Sequence, residues 1–328
     1  MQYCSHEVQG WEWDGAMSGG VPWGVGLEAV LQQRGVADAA DDETQPGASR
    51  GRSLGEKEGP ITRFADHTQL TLQAASAATP KRVLTVGSLS GSARNGSGTN
   101  EGWTGRAMWP SSAMLATHLW QVPPAAALQP PQQAPLRVLE LACGGAALPG
   151  MALALAGHHV TFADLPGVLP QAARNVQHNA ARWGAVLGDR ARFLPFDWRS
   201  PVPPGLDGWP DLIVGSDIVY AESHIDHIRR WLRAFLLRPD RPGAPPAEAV
   251  LSGENRSDTL RGLLSGLAAD GVEVIPVPVP SCFVGARWEA PHPYSKLELY
   301  RLRRGGGASA TDGCHARSRD AETETSDE

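Results

Sequence analysis

Acidic residues at the ends of short apolar runs are the first candidates for chemistry in this chain. Glu140 lies at the end of the run Leu136–Leu141, one residue before its close, and Asp164 closes His159-Val-Thr-Phe-Ala-Asp164. Between them lies a stretch of small residues, Ala142 to Ala147, followed by Pro149 and Gly150. A carboxylate at the tip of a buried strand can accept hydrogen bonds from two neighbouring hydroxyls of a ribose at once. Small residues next to it let a backbone pass close to a ligand. For Asp164 the rival role is a helix N-cap, which Pro166 disfavours by separating it from the following helix. Glu140 is open between two roles, bracing the small-residue turn or accepting from a ligand's ammonium group. Asp217 and Tyr220, in Ser216-Asp-Ile-Val-Tyr220, leave a further apolar run, where an open α/β sheet places its ligand crevice. A loop acid and a packing tyrosine are the structural alternative for that pair.

These residues need parallel strands to hold them. Runs too short for a helix and rich in Val and Leu read as buried parallel strands. Strands are expected at 136–141, 159–164, 191–196, 211–214, 249–252, 272–279 and 295–301. Helices are expected at Ser111–Trp120, with Ser111 or Ser112 as cap, at Met151–Ala156, Val168–Trp183, Ser223–Leu237 and Ser257–Asp270. The prolines in 272–279 push that strand toward an edge. The last two strands follow one another without a helix, so one runs antiparallel in an otherwise parallel sheet. The fold class is α/β: a Rossmann-like sheet of seven strands, mostly parallel, with helices on both faces.

Composition limits how much of the chain this fold can use. There are 37 glycines and 27 prolines in 328 residues, well above the roughly 12% usual for the two together. Much of the excess lies in stretches without an apolar period. Residues 1–60 are therefore expected to be a poorly ordered extension, despite Trp11, Trp13 and Trp23. The folded domain is expected over 61–304, with flexible inserts at 87–102, 121–135, 199–210 and 238–248 and a polar tail over 305–328. Gln69–Leu72 and Arg82–Val86 alternate like two further strands. A net charge of −6 with no long basic run argues against a nucleic-acid partner. No apolar run is long enough for a bilayer, and the N-terminus lacks a signal-peptide pattern. Cys4, Cys143, Cys282 and Cys314 show no CxxC spacing, as suits a reducing compartment. A monomer in the cytoplasm or nucleus, without a membrane partner, is the expectation.

Several stretches in order carry a resemblance: Gly105–Pro110, Val138–Gly144 with Leu148-Pro-Gly150, Thr161–Pro170, Asn175-Val-Gln-His-Asn179, Phe196-Asp-Trp198, Ser216–Tyr220 and Leu299–Arg303. Together they resemble the seven-β-strand (class I) S-adenosylmethionine-dependent methyltransferases, in the group of protein-lysine methyltransferases. That resemblance spans roughly 61–304 and implies S-adenosylmethionine as cofactor and a lysine of a non-histone protein as substrate. It implies that Ala142, Cys143 and Gly144 pass beneath the cofactor, with Glu140 and Ser216 near it and Asp164 on its ribose. Asp197 would accept from the adenine amino group and Trp198 would stack on the base. Without the neighbouring motifs, Trp198 would read as a core tryptophan. Trp109 would close over the cofactor or anchor the first helix. Asp217 and Tyr220 would receive the substrate amine as the catalytic pair. Ala142 and Ala146 stand where the family has glycines, and Glu140 to Pro149 is one residue longer than its usual spacing.

Other chemistries fit less well. A nicotinamide dehydrogenase wants G-x-G-x-x-G after the first strand, which Ala142–Ala147 does not supply. Small-molecule or arginine methylation shares the cofactor half, but the Asp-Pro-Pro-Tyr type of motif used on planar nitrogens is absent after the fourth strand. A catalytically silent scaffold with the same fold is the rival from another class. There is no Walker lysine loop, no G-x-S-x-G elbow and no zinc ligand set. His224 and His227 near Glu222 read as a solvated helix face rather than a metal site.

Overall fold

The computed structural model describes residues 25–26, 56–58, 60–63, 67–72, 82–87, 108–122, 135–183, 190–201, 210–239, 246–254, 258–284 and 296–305. All but the first residue of the expected tail, most of the extension and most of each expected insert lie outside the described residues.

Seven strands form the central sheet at the expected places: β6 (Arg137–Leu141), β7 (His159–Asp164), β8 (Ala191–Pro195), β9 (Leu212–Ser216), β10 (Glu248–Glu254), β11 (Val272–Pro276) and β12 (Leu297–Arg304). Their order is β8-β7-β6-β9-β10-β12-β11. The order reverses on either side of β6 and β9, so the crevice opens at the carboxyl ends of these two strands. β12 pairs antiparallel with both β10 and β11, and β11 with its prolines lies at the edge. An eighth, two-residue strand, β1 (Val25–Gly26), pairs antiparallel with β8 at the other edge. Two residues are too few to show a period, so nothing in the pattern of the first 60 residues marks it.

Alternation along the strands divides the core between the two faces. Val138, Val160, Phe162, Phe193 and Val214 point to one face, and Leu139, Leu141, Ala163, Ile213 and Leu251 to the other. Phe162 and Phe193 stack across β7 and β8 with ring centroids 5.1 Å apart. The first face carries α1 (Pro110–Gln121), α2 (Leu148–Leu155) and α3 (Leu169–Arg182). The second carries α4 (Glu222–Leu236) and α5 (Thr259–Ala269).

A second antiparallel sheet lies over the first group of helices. It is a meander of β2 (Glu56–Glu58), β3 (Ile61–Arg63), β4 (His67–Leu72) and β5 (Arg82–Gly87). Its Ile61, Leu70, Leu72, Leu84 and Val86 join the core of the first face. α1 is thus covered on all sides, and every residue from Ser111 to Trp120 is buried. This corrects the expected cap: the N-cap is Trp109, with no side-chain cap bond, Pro110 in the first turn, and both serines inside.

Gly150 in α2 marks how closely this layer packs. A Cβ there would run into Glu140 Oε2 and would lie 2.6 Å from the Phe162 ring and 2.9 Å from Val160. Nothing at this contact can swing away, because Glu140 and Phe162 are buried at 1% and 0% exposure. Gly150→Ala is therefore expected to destabilise by about 1–3 kcal/mol, the usual cost of overpacking. Chemical denaturation should show a lower midpoint at unchanged slope; an unchanged midpoint would contradict the packing described.

Candidate active site

β6, β7, β8 and β9 end side by side, and the candidate residues sit on the turns that follow. Register makes the alignment explicit: Leu141 of β6 lies opposite Ala163 of β7 and Gly215 of β9. Ala142, Asp164 and Ser216, one residue further on, share one level at the mouth. Asp164 in turn lies opposite Pro195, two residues before Asp197. The structure thus brings the small-residue turn, Asp164, Asp197 and Ser216–Asp217 to one edge of the sheet.

The turn after β6 is held at almost every residue. Cys143 N–H donates to Ala163 O (3.0 Å), which extends the β6–β7 ladder by one bond. Gly144 N–H donates to Asp164 Oδ2 (2.8 Å), and Asn175 Nδ2 donates to Gly145 O (2.7 Å). Ala147 N–H closes the turn on Cys143 O (3.1 Å). Three residues adopt left-handed backbone: Ala142 (φ 51°), Gly144 (φ 62°) and Ala147 (φ 48°). For the alanines this conformation costs on the order of 1–2 kcal/mol each. At 142 a glycine would remove that strain, less about 0.5–1 kcal/mol for its greater freedom when unfolded. Ala142→Gly is expected to raise the melting temperature by roughly 1–3 °C. Scanning calorimetry checks this, and a fall would contradict it.

Asp164 is partly buried, with Oδ2 on Gly144 N–H and Oδ1 on Leu165 N–H (2.7 Å). Each carboxylate oxygen keeps a second acceptor position for a ligand hydroxyl. Burial raises its pKa from 3.8 to about 6, and the two backbone N–H groups pull the other way without cancelling it. Glu140 is fully buried, and Oε2 accepts Gly150 N–H (2.9 Å) across the α2 start. Burial pushes its pKa well up, the Gly150 bond opposes this, and the Asp164 charge adds to it. Of the two roles open to Glu140, the geometry shows the brace. The Cys143 thiol is buried and its pKa is raised well above the ordinary value, first by burial and then by the Asp164 and Glu140 charges. It is therefore a packing group, not a nucleophile.

Asp197 faces a cation that the spacing of the motif does not reveal. Arg199 Nε and Nη2 make three bonds to its two oxygens at 2.6–3.0 Å, and Arg199 N–H adds a fourth at 2.9 Å. Burial raises the Asp197 pKa, but the Arg199 hydrogen bonds and charge outweigh it and hold the carboxyl below its usual range. An adenine amino group would share this carboxylate with Arg199. The Trp198 ring packs against the α4-side core and lies 5.1 Å from the His224 ring; its carbonyl accepts from Trp231 Nε1 (3.1 Å). Tyr220, 53% exposed, meets the His224 ring edge-on at 4.5 Å. His224 is thus half-buried and in contact with two aromatic rings. Among the described residues, no cluster of His, Cys, Asp and Glu could hold a metal ion.

Asp217 is the third non-glycine residue in left-handed backbone (φ 53°). Its N–H donates to Ser252 O (2.9 Å), and its Oδ1 accepts Glu254 N–H (3.0 Å). The strained residue is held by the end of β10, which is how backbone strain persists at sites with a task. Ser216 and Asp217 are partly buried, and Trp109 is partly buried at the head of α1. Asn175 is the residue whose place in the site the sequence did not disclose; the spacing Asn175–Asn179 was the only signal.

With this geometry in view, comparison with known proteins is informative. Residues 96–239 match the model of a family described as lysine methyltransferase. The matched residues carry α1 to α4 and strands β6 to β9 of the central sheet. The match covers less than half of the chain, ending just after α4. No curated protein sequence matches the chain. Among solved structures, the chain is similar to ribosomal protein L11 methylase from Lactobacillus delbrueckii subsp. bulgaricus, at 15% identity over 61% of this chain and 82% of that one, TM-score 0.39. The glycopeptide N-methyltransferase MtfA gives 16% identity over 61% and 92%, TM-score 0.38. A TehB-like SAM-dependent methyltransferase from Corynebacterium glutamicum gives 17% over 54% and 83%, TM-score 0.35.

The family match implies S-adenosylmethionine as the cofactor. The residues present fit it. A turn of small residues lies beside Asp164, a partly buried carboxylate whose two oxygens each keep an open acceptor position.

Proposed function

We propose that this chain transfers a methyl group from S-adenosylmethionine to a lysine side-chain nitrogen of a partner protein. The observation that carries the reading is Asp217, strained and pinned, one residue past the level of the cofactor turn, with the exposed Tyr220 ring three residues on. S-adenosylmethionine supplies a methyl group already on a good leaving group. The protein's part is to align the amine, whose proton passes to solvent before the attack. Asp164 takes the ribose hydroxyls and the 142–147 turn runs along the cofactor. Asp217 orients the lysine nitrogen and Tyr220 walls its approach. The lysine nitrogen must lose a proton before it can attack, and a partly desolvated mouth favours its neutral form.

The test is incubation with methyl-labelled cofactor and a cell lysate, followed by mass spectrometry of the labelled proteins. Label on lysine nitrogens is expected. Label confined to small molecules or arginine would overturn the substrate assignment. A second reading, a scaffold that binds no cofactor, has one observation in its favour: the Asp197 oxygens are already held by Arg199. Calorimetry with S-adenosylmethionine separates the two, because the scaffold gives no heat of binding.

A further inference from the structure

Asn175 and Asn179 stand one helical turn apart on α3 and face β5 of the small sheet. Asn179 completes the edge of that sheet: Oδ1 accepts Thr85 N–H (2.8 Å) and Nδ2 donates to Thr85 O (2.7 Å). A single side-chain amide thus stands in for a neighbouring strand at one residue of an edge. Asn175 does something different. Its Oδ1 accepts Gly87 N–H at the end of β5 (3.1 Å), and its Nδ2 donates to Gly145 O in the turn after β6 (2.7 Å). The amide cannot be turned round, since Gly87 offers only a donor and Gly145 only an acceptor. One buried side chain therefore joins the small sheet to the turn that the proposed function places along the cofactor.

Resting on that reading, we infer that Asn175 is a positioning residue for the cofactor turn, and that it couples cofactor binding to the docking of the small sheet. The Gly145 carbonyl lies between Gly144, tied to Asp164, and the left-handed Ala147. Its bond to Asn175 fixes the direction of the peptide plane within the turn. Without that bond the turn can rotate, and a ligand must order it on binding. Linkage makes the effect reciprocal: whatever fixes the turn also strengthens the hold on β5.

Two variants separate positioning from plain stability. Asn175→Asp keeps the acceptor for Gly87 but sets an oxygen against the Gly145 carbonyl; of the bonds to β5, Asn179→Ala removes only the two to Thr85, without touching the turn. Titration calorimetry with S-adenosylmethionine should show Asn175→Asp binding about tenfold more weakly, as loss of one buried bond implies. Asn179→Ala should lower the melting temperature yet bind within about twofold of wild type. Hydrogen exchange on the unaltered protein is the second measurement, and it does not depend on a variant folding. Saturating cofactor should slow exchange at Thr85 and Gly87 as well as in the turn. Wild-type binding with unchanged affinity in Asn175→Asp, or with unchanged exchange at Gly87, overturns the inference alone. A wild type that binds no cofactor overturns it together with the proposed function.

Discussion

Asp164→Ala is expected to weaken S-adenosylmethionine binding by about a hundredfold or more, since it removes a charged acceptor for two hydroxyls. The variant also leaves Gly144 N–H without its 2.8 Å partner, so the turn loosens at the same time. pH separates these effects. With its pKa near 6, Asp164 is mostly protonated at pH 5 and mostly a carboxylate at pH 7.5. Binding that requires the carboxylate should be about tenfold weaker at pH 5 than above the pKa, and a proton should be released on binding there. Asp164→Asn should show a flat profile in the same range. The sign for folding is the reverse. Because the folded pKa exceeds the unfolded 3.8, the group's contribution to stability is full below 3.8 and is lost as pH rises through about 6. A binding constant that does not change between pH 5 and 7.5 in wild type would remove Asp164 from the cofactor.

Asp217→Asn is expected to lower kcat by roughly 10²-fold, the scale for loss of a group that aligns the reacting nitrogen. The substitution is chosen so that the fold survives. Asparagine tolerates left-handed backbone better than other residues, and its Oδ1 can still accept Glu254 N–H. Cofactor affinity and melting temperature should therefore stay close to wild type while turnover falls. Near-normal turnover would show that Asp217 is only a brace for the end of β10.

β6 to β10 were legible as short apolar runs and β12 by its alternation, and β11 was placed at the edge by its prolines. β4 and β5 were legible from their alternation. Their docking was not, because Asn175 and Asn179 attach β5 through polar contacts with backbone that leave no periodic trace. β1, β2 and β3 are two or three residues long, below the length at which alternation can be read. The burial of α1 on every side followed from the unforeseen second sheet, which is why its serines looked like caps.

At the site, Asp164 could be read from its place at a strand tip, and the register bears out its level with the turn. Glu140 could not be resolved beforehand, since its role depends on Gly150 arriving within hydrogen-bond reach ten residues later. Arg199 was invisible as a partner of Asp197 because a two-residue spacing says nothing of where a flexible guanidinium folds back. Ala142 was noted as a departure from glycine. Its φ of 51° shows what that departure involves: the turn keeps the backbone a glycine would prefer and bears the strain.

A crystal structure with bound S-adenosylhomocysteine tests the central claim most directly. The account predicts both ribose hydroxyls within hydrogen-bond distance of Asp164, the 142–147 turn against the ligand, and Asp197 facing the adenine edge beside Arg199. A ligand bound elsewhere, or a cleft in which Asp164 points away from the sugar, would contradict it.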